Sequence, residues 1–364
     1  MSVLLTFIPV ISLLILVHEF GHLIAAKLTG MKVEEFGLGM GPRLLKVWND
    51  GETVYTINAL PIGGYVKILG EDSIPENEKE RSFSSKPLWA RALVLSAGIF
   101  MNYVLALVLI FGLLTFAGEP TLQVVLPISS ITESSPLNDT LTTDKMVIVG
   151  YKDQDGIAHT LQSDMEFIDY VKENAGTSVS LLLLEDGADI ANTPTEITVI
   201  PRKNPPSDEG ALGIVIEPTP DSYFMNYTEV KPLQILPKTF SITHNLLKAM
   251  VVGMYDMFSN LFLHGVVPSD IAGPVGIAKL TDQAAKQGLS YLTQFTALIS
   301  LNLAVLNLLP IPALDGGRLF FVLIELVTRK KVPQKIEGWL HTIGLLLLFA
   351  LLALVSIVDI KRFF

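Results

Sequence analysis

Residues 11–28 read ISLLILVHEFGHLIAAKL. An unbroken apolar run leads into His18, Glu19 and His22, and the chain then turns apolar again. A helix crossing a bilayer needs about 20 such residues. Each ionisable group at membrane depth costs on the order of 3 kcal/mol, so such groups usually serve function. On a helix, His18 and His22 are one turn apart and share a face. Two imidazoles so placed can grip one metal ion, and Glu19 beside them can take a proton from water at that ion. This is the H-E-x-x-H arrangement of zinc proteases. The bland alternative is that the three groups sit idle in the interfacial layer, each hydrogen-bonded.

Half of the 364 residues are hydrophobic and 17% are charged, which is low for a soluble chain. Apolar windows at 3–28, 92–117, 291–327 (interrupted) and 340–358 predict a polytopic α-helical membrane protein with about four transmembrane helices. The first window lacks a basic leader and a small-x-small cleavage site, so it is expected to be retained as a membrane helix. The absence of cysteine excludes disulfides and thiolate metal sites. The net charge of −10 is uneven: residues 119–229 hold 19 Asp/Glu against 5 Lys/Arg. No basic stripe with interleaved aromatics appears, so a nucleic-acid partner has no support.

Four regions follow. Residues 1–118 form an N-terminal membrane part with the H-E-x-x-H helix, a β-hairpin region and a second membrane helix. In the hairpin region, alternating residues run between the turn signals Asn49-Asp50-Gly51 and Gly63-Gly64. A charged loop is expected over 71–87. Residues 119–220 read as a small inserted α/β module. Its strands are QVVLPI, MVIVGY, VSLLLL and EITVIP, its helix SDMEFIDYVKENAG, and ALGIVIEP follows a Pro-rich linker. Residues 221–290 form an amphipathic juxtamembrane segment. In its helix over 240–263, Leu247, Val251, Met254, Phe258 and Leu261 make one stripe. Residues 291–364 form the C-terminal membrane part. The 27–91 connection carries nine Lys/Arg and 318–335 carries five, which predicts both on the cytoplasmic side and the acidic module outside. Lys361 and Arg362 oppose this scheme.

A zinc protease needs a third protein ligand. In LNLAVLNLLPIPALDGGRLFF, residues 301–321, Pro310 and Pro312 break the helix and Gly316-Gly317 permit close backbone approach. Asp315 is either that ligand or the cap of the apolar helix behind it.

Together, HEFGH (18–22) and NLLPIPALDGG (307–317) closely resemble the site-2 protease family of intramembrane zinc metalloproteases, in the bacterial branch that includes the regulator of sigma-E protease. GLGMGP (37–42), ALPIGGYVKILGE (59–71), FSSKPLWARALVLSAGIFMN (83–102) and GPVGIAKL (273–280) also match. The resemblance implies one zinc ion held by His18, His22 and Asp315, with Glu19 as catalytic acid/base. It implies that Asn307 contacts substrate or the reacting carbonyl; helix–helix bonding is the other reading. It places Gly63, Gly64, Tyr65 and Val66 in a membrane-associated hairpin that meets substrate, and it makes the inserted module PDZ-like. The implied partners are the lipid bilayer and single-pass membrane proteins already cut by another protease, such as anti-sigma factors or remnant signal peptides. The implied location is the bacterial inner membrane, with the active site toward the cytoplasm. Two departures stand out: one PDZ-like module where many relatives have two, and Met40 where an aromatic is usual.

A membrane helix hides its carbonyls in internal hydrogen bonds, so a substrate must unwind before attack. A strand edge from the 52–70 hairpin could hold it by β-addition; packing beneath the helices is the alternative. GALGIVI (210–216) is a candidate carboxylate-binding loop and strand. His159, His244, His264 and His341 read as ordinary polar residues. A non-catalytic zinc-binding PDZ scaffold is the rival, although a structural site has no need of Glu19. A metal transporter would show repeated halves, and none is found.

Overall fold

The computed structural model describes residues 3–71, 79–138, 140–141, 146–153, 155–186, 193–206, 209–219, 222–264 and 273–363. The middle of the expected charged loop (72–78) and two linker residues (207–208) lie outside them. The chain divides into two units, Met1–Ala117 with Val230–Phe364, and Gly118–Glu229.

The first unit is helical. In chain order its helices are α1 (Val3–Leu28), α2 (Leu88–Phe116), α4 (Pro232–Ser259), α5 (Pro274–Lys286), α6 (Leu289–Leu308), α7 (Asp315–Thr328) and α8 (Gln334–Phe363); α3 (Asp164–Glu173) belongs to the second unit. Among the described residues, four spans have the length and hydropathy to cross a membrane: Leu5–Leu28, Leu88–Phe116, Leu289–Leu308 and Ile336–Lys361. The interrupted window at 291–327 resolves into α6, a turn through Pro310 and Pro312, and α7. Helix α7 has 14 residues, about 21 Å, too short to cross the hydrocarbon core. Its first turn lies against the turn that precedes it. A Cβ at Gly316 would come within 2.3 Å of the Leu309 carbonyl oxygen, and one at Gly317 within 2.3 Å of that of Ile311.

Helix α4 starts about two turns earlier than the expected helix over 240–263, with Pro232 in its first turn, where a missing N–H costs nothing. Ile235, Ile242, Leu246, Leu247 and Met250 pack against Ala106 and Ile110 of α2 and Leu301 of α6; of the expected stripe, Leu247 joins this contact, Met254 and Phe258 are half-buried, and Val251 is exposed. Ile242, Leu246 and Met250 form a row spaced by four, which widens the contact beyond the expected stripe. The GPVGIAKL stretch opens α5. There the buried Asp359 of α8 accepts a hydrogen bond of 2.7 Å from the Gly276 N–H and so caps the helix from a distance.

The hairpin strands β1 (Val33–Asn49) and β2 (Val54–Ile68) pair antiparallel around a turn in which Asp50 accepts from the N–H of Glu52 and of Thr53. The register is folded over. Residues 35–38 have partners on both sides, 54–57 on one and 64–67 on the other, and 43–49 pair with 54–58. Gly63 and Gly64, expected to form a turn, therefore lie within β2; Gly63 has a φ of 93° where the strand changes partner. Segment 64–68 becomes an edge. Met31, Val33 and Ile68 join Leu23, Ala26, Val94 and Leu95 in one core, which seats the hairpin on α1 and α2.

In the second unit, four of the five expected strands form as β5 (Met146–Lys152), β7 (Val179–Glu185), β8 (Thr195–Val199) and β9 (Ile214–Ile216), whereas QVVLPI is split at Val125 between β3 (Glu119–Val124) and β4 (Leu126–Ile131). The short β6 (Ala158–Thr160) and β10 (Tyr223–Thr228) were not legible. The larger sheet runs β8-β7-β5-β4-β9 with β6 on β5, and every pairing is antiparallel. A second ribbon pairs β3 with β10. Helix α3 opens with Ser163 accepting from the Glu166 N–H at 3.1 Å. It buries Phe167 and Val171 among Leu126, Ile148, Leu181 and Leu183 of the sheet.

Candidate metal centre

Three ligand atoms from two distant parts of the chain meet within the helical unit. His18 and His22 lie on one face of α1, with their Nε2 atoms 3.2 Å apart. Asp315 Oδ2 lies 2.9 Å from His18 Nε2 and 3.3 Å from His22 Nε2. The cap position of α7 falls on Leu314, and Asp315 is the first helical residue, its carboxylate turned to the histidines. The donor atoms of these three residues form a group able to hold a metal ion.

The separations test that fit. Ligands about 2.0–2.1 Å from a tetrahedral zinc stand about 3.3–3.4 Å from one another. The three separations, 2.9, 3.2 and 3.3 Å, lie at or below this edge. His22 Nδ1 lies 2.8 Å from the carbonyl oxygen of Val94. A carbonyl only accepts, so Nδ1 carries the hydrogen and Nε2 presents its lone pair to the centre. Asp315 Oδ2 is buried with no aligned hydrogen bond, an expensive state for a carboxylate unless a cation completes it. Two imidazoles and a carboxylate suit zinc, and the cysteine-free chain offers no softer donor.

Helix α2 forms the wall behind the imidazoles. A Cβ at Gly98 would sit 2.4 Å from His22 Nε2 and 2.8 Å from His18 Nε2, so any side chain there must displace them. One turn further on, Asn102 is fully buried, with Nδ2 3.3 Å from His18 Nδ1.

Glu19 is half-buried beside this centre. Its carboxyl is hydrogen-bonded by the Val66 backbone, and its Cγ lies 3.4 Å from where a Gly64 Cβ would be. Glu19, His22, Val66, Ile68, Val94 and Asp315 line a cavity of about 90 Å³, which has room for several waters. Glu71 and Leu95 border both it and a larger cavity of about 410 Å³.

The remaining expected site residues are spread more widely. The Tyr65 hydroxyl donates to Glu35 Oε1 at 2.8 Å, inside the hairpin's own network. Gly63 packs near the Met40 side chain. Asn307 is half-buried in the last turn of α6, outside the three-ligand group. Sequence reasoning passed over Gly98 and Asn102, although an amide four residues after a glycine in a 29-residue apolar helix is a readable signal.

Comparison with known proteins gives the family of the chain. The profile of peptidase family M50 matches residues 6–351. The chain belongs to peptidase family M50. This M50 peptidase is 37% identical over 353 residues to a Clostridium perfringens protein named "Putative zinc metalloprotease CPE1693", covering 96% of each chain. It is 32% identical over 357 residues to a similarly named Fusobacterium nucleatum protein, covering 98% of each. It is 30% identical to the zinc metalloprotease RasP of Shouchella clausii, with both chains covered completely. The M50 chain is therefore a zinc metalloendopeptidase of the site-2 protease family. Its four apolar helices fit a multi-pass membrane protein. The scaffold alternative does not agree with membership of a peptidase family.

Proposed function

We propose that this chain cuts single-pass membrane proteins within or beside their membrane segment, as one step of regulated intramembrane proteolysis. The observation that carries the reading is the convergence of His18, His22 and Asp315 beside Glu19 and a strand edge, on helices apolar enough to cross a bilayer.

His18, His22 and Asp315 hold zinc. When bound, zinc supplies Lewis acidity toward a carbonyl and toward water. Glu19 takes the proton of the attacking water and returns it to the departing amine. The Val66 N–H holds the Glu19 carboxyl in place during both transfers. Asn307 donates to the substrate backbone or to the developing oxyanion. Water reaches Glu19 through the cavities that share Glu71 and Leu95. The hairpin side faces the cytoplasm of a bacterial inner membrane, which agrees with the basic residues of 27–91.

The strand edge answers how an unwound substrate stays soluble in the membrane. Since the Val66 N–H points to Glu19, the N–H groups two residues either side, at Gly64 and Ile68, point the same way, outward from residues 33–38. A substrate strand laid there regains the backbone bonds it loses on unwinding. Proline scanning of a single-pass substrate tests this. Expected is an alternating pattern, with about a tenfold slower cut at every second position near the scissile bond. Uniform acceleration by proline would mean that unwinding alone matters and that the edge is idle.

The Gly118–Glu229 unit acts as a PDZ-like filter against substrates that retain a bulky outer domain. Its antiparallel sheet and single described helix support that reading. Deleting residues 121–216 is expected to speed cleavage of uncut substrate at least tenfold and to leave precut substrate unchanged. Unaltered preference between the two would remove the filter.

A further inference from the structure

The side chain of Asn102 is unexplained by the packing around it. It lies mid-way along the apolar α2 and is fully buried. Its Oδ1 has no hydrogen-bond partner, while its Nδ2 lies 3.3 Å from His18 Nδ1. The contact that ties this point of α2 to α6 does not use the side chain: Ser300 Oγ donates to the Asn102 backbone carbonyl at 2.8 Å. Helix–helix bonding therefore leaves the amide unspent, and an unpaired amide oxygen in an apolar interior is costly.

We infer that Asn102 is a positioning residue for the metal centre, holding His18 in the tautomer that can bind zinc. This rests on the reading of His18 as a ligand. An imidazole that ligates through Nε2 must carry its hydrogen on Nδ1 and hand it to an acceptor. For His22 that acceptor is the Val94 carbonyl. For His18 the polar group at Nδ1 is the Asn102 amide. An amide carries a donor and an acceptor on one carbon, and a half-turn about its last torsion exchanges them. With Nδ2 toward His18, Asn102 serves the tautomer whose Nε2–H faces Asp315. With Oδ1 toward His18, it accepts from Nδ1–H and frees the Nε2 lone pair. Oδ1, without a partner in the first arrangement, gains one in the second. The two histidines are thus steadied from α2 by unlike acceptors, a backbone carbonyl for His22 and a rotatable amide for His18.

The test uses the full chain purified in detergent. Zinc affinity is measured by chelator competition, and the cobalt-substituted protein by its visible absorption. Asn102→Leu keeps the volume and suits an apolar helix. Asn102→Asp keeps an acceptor. Asn102→Leu is expected to weaken zinc binding about 10–100-fold and to shift the cobalt bands. Asn102→Asp should restore affinity to within about threefold of wild type, because a carboxylate accepts the same hydrogen. The inference is overturned if Asn102→Leu binds zinc as wild type does, or if both variants lose affinity equally, which would mark a packing role. If Asn102→Leu does not fold, Asn102→Asp decides alone: near-wild-type affinity with unshifted cobalt bands supports the role, and a loss of tenfold or more ends it. His18→Ala separates the two layers. Loss of zinc there with Asn102→Leu unaffected sinks only this inference, whereas retained zinc in His18→Ala sinks the ligand assignment beneath it.

Discussion

Glu19→Gln is expected to bind zinc as wild type does and to cleave about 10³–10⁴-fold more slowly. Glutamine keeps the size and the polar end of the side chain, so His18, His22 and Asp315 are left as they stand. It removes the carboxylate placed to accept a proton beside them. General acid–base catalysis by a positioned side chain contributes about 10²–10⁴-fold, and Glu19 is assigned both transfers, so the upper part of that range applies. The check is cleavage of a single-pass substrate by protein whose zinc content has been measured on the same sample. A Glu19→Gln protein that retains zinc and cuts within tenfold of wild type removes Glu19 from the chemistry.

Asp315→Ala is expected to abolish both zinc binding and cleavage. Two imidazoles on one helix turn are left, one protein ligand short of a catalytic zinc site. The loss should exceed the about 10–100-fold effect that outer partners of a ligand command. The same substitution also acts on the zinc-free protein. There Asp315 Oδ2 lies 2.9 and 3.3 Å from the Nε2 atoms of His18 and His22, and its removal leaves two buried imidazoles without their carboxylate partner. In chelator, Asp315→Ala should melt below the wild-type temperature. With zinc added, only wild type should rise, because a ligand that binds the folded state stabilises it. A wild type that gains nothing from zinc, or a variant that gains as much, contradicts the role of Asp315.

Much of the centre was legible because its parts are local. His18 and His22 are four residues apart, and helical periodicity alone puts them on one face. The Pro310–Pro312 break and the Gly316-Gly317 pair marked where a helix must stop and where backbone could come close, and α7 begins at Asp315. What sequence could not give is set by tertiary contact. The face of α4 that packs is set by α2 and α6, so Leu247 of the expected stripe packs while Val251 of the same stripe is exposed. Gly63 and Gly64 carry the composition of a turn, yet they lie within a strand whose partners sit on the far side of the hairpin. Asn102 lies 84 residues from His18, and only the crossing of α1 with α2 at Gly98 brings its amide to the ring.

The measurement that tests the central claim most directly is cleavage of a single-pass substrate in proteoliposomes, with the zinc content of wild type, Glu19→Gln and Asp315→Ala determined in parallel. Wild type should cut within or beside the substrate's membrane segment, stop when zinc is stripped by a chelator, and resume on one equivalent of zinc. Glu19→Gln should carry zinc in silence, and Asp315→Ala should carry none. Cleavage that persists in zinc-free wild type, or that survives in Asp315→Ala, would contradict a hydrolytic centre built from His18, His22, Asp315 and Glu19.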